Sequence, residues 1–155
     1  MREALASFAG NKIKRTSANL MRQIREDEGY FIHAPLVSEM EFECYAGYGM
    51  SDPEGYPTIV VGLYVDPQAA GSEAAISAIN RISSLTGWDA NLHDHADWPE
   101  VWREASLLSA LPEEDHVGAV KHYFIESVGQ LKEELSDFKK EHPELSWNVG
   151  PAKDD

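Results

Sequence analysis

The chain has 155 residues, a formal net charge of −14 and 43% hydrophobic residues, with four Trp, six Tyr and five Phe. Those values suit one domain with a buried core and exclude an intrinsically disordered chain. The single Cys44 has no intramolecular partner, no run approaches the roughly 20 apolar residues of a membrane span, and the acidity opposes binding to a phosphate backbone, which needs Lys or Arg at each contact. A cytoplasmic protein with no nucleic-acid or membrane partner is therefore expected. The acidity is uneven: up to Glu28, Arg2, Lys12, Lys14, Arg15, Arg22 and Arg25 outnumber Glu3, Glu26, Asp27 and Glu28. An acidic body repels anionic surfaces and attracts basic partners, although acidity alone is also ordinary among bacterial cytoplasmic proteins.

Residues 1–15 carry Leu5, Ala6 and Phe8 without a sustained period, so they read as a loose arm or an extension of the first helix. That helix is predicted over 16–28 from the spacing of Leu20, Met21 and Ile24, with Thr16 or Ser17 as cap and Gly29 as stop. From Tyr30 the period becomes two. Phe31, His33 and Leu36, then Met40, Phe42, Cys44 and Tyr45 against Glu39, Glu41 and Glu43, predict strands with one wet face. The turn chemistry of Asp52, Pro53 and Gly55 connects them to a β-branched run over 58–65, TIVVGLYV, which has the composition of a central strand. Asp66-Pro67 ends it.

Ser72, followed by Ala75, Ile76, Ile79 and Ile82, predicts a capped helix over 72–85, closed by Thr86-Gly87. Two aromatic-rich stretches, 88–92 and 101–108, flank HDHADWPE and predict a second hairpin; the alternation in 101–108 leaves its buried face open. The strongest period lies in 115–143, where Val117, Val120, Phe124, Val128, Leu131, Leu135 and Phe138 step by three or four. This is a long amphipathic helix that either covers a sheet or joins a coiled coil, with sheet cover favoured. Residues 147–155 read as a frayed tail. The predicted class is α+β: one domain of helix, two or three strands, helix, two strands and a long C-terminal helix, with an antiparallel sheet.

No residue set supports catalysis, a cofactor or a metal. His93, Asp94, His95 and Asp97 offer ligand types without a complete ligand spacing, and a polar hairpin turn accounts for them. Cys44 sits beside Glu41 and Glu43, whose charge disfavours a thiolate. Glu113, Glu114 and Asp115 stand where a helix N-terminus favours negative charge. Trp88, Trp98, Trp102 and Trp147 lack the interleaved Lys and Arg of a nucleic-acid platform, which leaves core packing or a protein-binding hot spot.

The order of elements, read with AAISAINRISSLTGWDANLHDHADWPEVWREASLL, resembles the YbjN-like family and the related class I type III secretion chaperone fold. The resemblance covers roughly 16–138. It implies a non-enzymatic interaction protein, often a homodimer, that binds an extended protein segment or acts in regulation. It also makes the helix over 72–85 a candidate dimer or partner element, with Ala75, Ile76, Ile79 and Asn80 as its surface; the alternative is burial of Ile76, Ile79 and Ile82 against the domain's own sheet. A second reading is a small acidic inhibitor or immunity protein that blocks a basic partner by charge complementarity.

Overall fold

The computed structural model describes residues 1, 4–5, 14–15, 29–37, 39–51, 56–92 and 98–148. Strands β1 (Lys14–Arg15), β2 (Tyr30–Pro35), β3 (Phe42–Ser51) and β4 (Tyr56–Val65) precede helix α1 (Ser72–Ile82). Strands β5 (Asp89–Asn91) and β6 (Glu100–Ser106), a short 3-10 turn (Leu107–Ala110) and helix α2 (His116–Glu141) follow. The strands form one antiparallel sheet in the order β1-β2-β3-β4-β6-β5. The class is α+β, as expected. The helix predicted over 16–28 lies outside the described residues.

Period-two alternation divides the sheet into two unlike faces. Ile32, Ala34, Phe42, Cys44, Ala46, Ile59, Val61, Leu63, Val65 and Val101 project to one side and share a core with Ala75, Ala78, Ile79 and Ile82 of α1 and Phe124, Val128, Leu131, Leu135 and Phe138 of α2. Both helices therefore lie on this face, and the long helix covers a sheet. Polar ties among the described residues help to fix them. The Arg81 guanidinium donates to the Glu134 carbonyl at 2.8 Å, Trp88 Nε1 donates to Gln130 Oε1 at 2.9 Å, and Arg103 donates to Glu126 Oε1 at 2.9 Å. The buried face of β6, left open by its alternation, is that of Val101, Arg103 and Ala105, which face the helices, and Arg103 uses its length to lie over the Tyr123 ring.

Some local expectations need correction. Ser72 is not the cap of α1; Gly71, at φ +83°, holds that position and the Ser72 hydroxyl donates back to Pro67 O. The helix ends at Ile82, short of 85, because the hydroxyls of Ser83 and Ser84 take the carbonyls of Asn80 and Arg81. Asp115 does cap α2, accepting from Gly118 N at 2.8 Å, but Val117 at its start is 57% exposed and stands outside the buried stripe. Trp147 and Asn148 do not fray. Trp147 bridges to Val37, and buried Asn148 donates its backbone N–H to Leu36 O and its Nδ2 to Pro35 O. Within the expected loose arm, Ala4 and Leu5 are buried and Lys14–Arg15 pair with β2.

Ala75 and Ile79 are fully buried against the domain's own core, Ile76 is half-buried and Asn80 is exposed. We expect Ile79→Ala to lower the unfolding free energy by about 2–5 kcal/mol through lost burial and the cavity left behind. Asn80→Ala should change it by less than about 0.5 kcal/mol. Urea denaturation of the two variants beside the wild type checks both.

Candidate functional site

The other face of the sheet carries Phe31 and His33 from β2, Glu43 and Tyr45 from β3, Val60, Gly62 and Tyr64 from β4, and Glu100, Trp102 and Glu104 from β6, all placed by register. Among the described residues no helix lies on it. Its centre depends on Gly62. Tyr45 is the direct cross-strand partner of that position, and a Cβ there would stand 2.5 Å from the Tyr45 ring carbon Cζ and hydroxyl. The missing side chain lets the phenol lie flat along the sheet and reach β6, where its hydroxyl donates to Glu100 Oε1.

A second phenol repeats the arrangement one row away. The Tyr64 hydroxyl donates to Glu43 Oε2 at 2.7 Å and stands 3.2 Å from His33 Nδ1, which is itself 3.5 Å from the same carboxylate oxygen. Glu43 is 5% exposed, and a carboxylate at that depth requires hydrogen-bond donors. The rings form a continuous chain: Phe31 to Tyr45 at 6.0 Å, Tyr45 to Tyr64 at 6.0 Å and Tyr64 to Trp98 at 5.4 Å between centroids. The chain ends at Trp98, 40% exposed, where Tyr64, Asn91, Trp98 and Glu100 line a shallow cleft of about 400 Å³.

Burial is the main cause pushing the Tyr45 and Tyr64 hydroxyls above their ordinary pKa of 10.0. For Tyr45 the negative charge of Glu100 and the hydrogen bond to it add to the effect; for Tyr64 the hydrogen bond to Glu43 and that carboxylate's charge do so. Both phenols therefore stay protonated as donors, and a neutral donor leaves the carboxylate's charge in place. On the helix face burial likewise raises the Tyr123 hydroxyl, to about 12, against the opposing pull of the Arg103 charge.

Ala75, Ile76, Ile79 and Asn80 are on the far side of the sheet from this cleft, and the structure does not bring them to it. Cys44 is buried, and burial pushes its thiol far up, which removes the thiolate a nucleophile needs. The cause is burial, not the neighbouring acids, since Glu43 projects to the opposite face. His93, Asp94, His95 and Asp97 lie outside the described residues, and among the described residues no group of three His, Cys, Asp or Glu is arranged to hold a metal. Among the described residues no helix is long and apolar enough to cross a membrane. The site residues missing from the sequence reading are the Tyr45–Glu100 and Tyr64–Glu43 pairs. Their sequence signal is Gly62 within an apolar strand, a mark of close approach by another group. No protein-family model, curated protein or solved structure matches the chain.

Gly→Ala inside a strand ordinarily gains about 0.5–1 kcal/mol. At position 62 the sign should reverse, because the Tyr45 ring must be displaced from its glutamate, and we expect Gly62→Ala to cost about 1–3 kcal/mol by urea denaturation.

The tyrosines also set an alkaline limit. Their folded pKa values lie above the unfolded value of 10.0, so the protonated form is the one the fold favours. This contribution is fully present below the unfolded value and is lost as pH rises above it. Thermal unfolding from neutral to strongly alkaline pH should show wild-type stability declining above about pH 10, with Tyr45→Phe declining less steeply.

Proposed function

We propose that this chain is a non-enzymatic interaction module that holds an extended, basic segment of a protein partner on the sheet face opposite α1 and α2. One observation carries the reading: the aromatic chain from Phe31 through Tyr45 and Tyr64 to exposed Trp98 is flanked by Glu43 and Glu100, whose described donors include uncharged phenols. Aromatic surface ending in an exposed Trp supplies contact area, and Glu100, met by the neutral Tyr45 hydroxyl, supplies negative charge beside it. Strands β2, β3 and β4, followed by a helix, two strands and a long helix, support a likeness to the YbjN-like and secretion-chaperone architecture. On α1, Ile76 and Asn80 remain as the residues that a second copy would meet in a homodimer.

The net charge of −14 equally favours an acidic inhibitor that caps a basic site, which would use the same face on a folded partner. An extended segment held also by apolar and main-chain contacts keeps more of its affinity in salt than charge-led capping, which is screened by it.

A short unstructured peptide mixing arginine, lysine and leucine, followed by fluorescence anisotropy, tests the assignment of the face. Trp98→Ala should weaken binding at least about tenfold, the loss typical of a hot-spot aromatic. Glu133→Gln, on the exposed side of α2, should leave it unchanged. Equal affinity of both variants and the wild type would mean that this sheet face does not bind the peptide.

A further inference from the structure

The geometry points to the cleft between Tyr64, Asn91, Trp98 and Glu100 as a receptor for one arginine side chain of the partner segment. This inference deepens the reading of the sheet face as a binding surface and rests on it. Three features of the cleft select a guanidinium. First, Trp98 and Tyr64, tilted by 35° at 5.4 Å, present aromatic surface on one side, and a planar cation stacks on such a surface with a strength that grows as water leaves. Second, Glu100 is pre-oriented: the Tyr45 hydroxyl holds its Oε1, while its Oε2 has no hydrogen-bond partner or ion pair among the described residues. Third, the Asn91 carboxamide, half-buried and equally without a partner among the described residues, adds a second acceptor at the same rim. Two acceptors beside an aromatic plane match a forked donor better than a point charge.

The chain's own nearby guanidinium does not compete. Arg103 lies on the same strand as Glu100 but projects to the helix face, where Glu126 and Gln130 hold it. Among the described residues no Lys or Arg forms an ion pair with Glu100. The cleft therefore combines an exposed aromatic, an oriented carboxylate and a volume of about 400 Å³ suited to one long side chain.

Heteronuclear NMR on the labelled full chain tests this with three small probes: the acetyl-amide derivatives of arginine, lysine and citrulline. Arginine amide should shift the Trp98 indole N–H and the Asn91 side-chain amide saturably. Citrulline, equal in shape but uncharged, should bind about tenfold or more weakly, as expected when a charge-assisted hydrogen bond is lost. Glu100→Gln keeps an acceptor for Tyr45 and should remove the preference for arginine over citrulline. No saturable shift at Trp98, or equal binding of arginine and citrulline, overturns the site. Equal binding of lysine and arginine overturns the guanidinium selectivity while leaving the basic-segment reading to the peptide experiment, so the two failures are distinguishable.

Discussion

Strand β4 is paired along both edges, to β3 and β6, and must also be covered on both faces, because its TIVVGLYV sequence offers little that water would solvate. The two faces solve this differently. Toward the helices, Ile59, Val61, Leu63 and Val65 bury against aliphatic side chains of α1 and α2. On the other face the chain omits a side chain at Gly62 and lets the Tyr45 ring take the space. A phenol laid along a sheet must place its hydroxyl somewhere, and a buried hydroxyl needs a partner. Glu100, on the next strand, meets that need, and with this contact an acidic group becomes fixed at the edge of an aromatic layer.

The identity of the donors matters for the charge each face retains. On the helix face, carboxylates meet guanidinium groups: Arg103 with Glu126, Arg81 with Glu134. Such pairs largely cancel and, being partly exposed, contribute little beyond orientation. On the opposite face the Tyr45 hydroxyl donates to Glu100 and the Tyr64 hydroxyl to Glu43, and a phenol satisfies part of a carboxylate's geometry without itself neutralising it. Among the described residues the helix face thus pairs its carboxylates with guanidinium groups, while Glu100 on the other face is met by a neutral phenol.

How far this was legible in the residues varied with the kind of signal. Elements with a sustained period were readable: β4 from its β-branched run, α2 from the stepping of Phe124, Val128, Leu131 and Phe138. Features made by one or two residues against distant partners were not. Trp147 and Asn148 have no period to reveal that they dock on Val37, Leu36 and Pro35, and a tail reading was the consequence. The face chosen by β6 was ambiguous because Arg103 is both charged and long, so its aliphatic stem packs where pattern alone would place an apolar residue. The site lay between these cases. The alternation over 39–45 separated Glu43 from Phe42 and Cys44 but grouped Tyr45 with the latter and read a wet face, whereas Tyr45 shares the face of Glu43 and both are buried; pairing Tyr45 with Glu100, 55 positions apart, requires the register of three strands. Gly62 was the one local clue.

Acidity and the cleft do different jobs in recognition. A net charge of −14 accelerates encounter with any basic surface and falls off with salt, so it carries little discrimination among cations. Discrimination requires a place where the wrong cation leaves something unsatisfied. At the Trp98 end of the aromatic chain, an oriented Glu100 and an Asn91 carboxamide stand beside ring surface, and a point charge cannot fill all three at once. Under the proposed function, the long-range field would gather basic segments, and the fixed geometry that begins with the absence of a side chain at Gly62 would decide which of them stay.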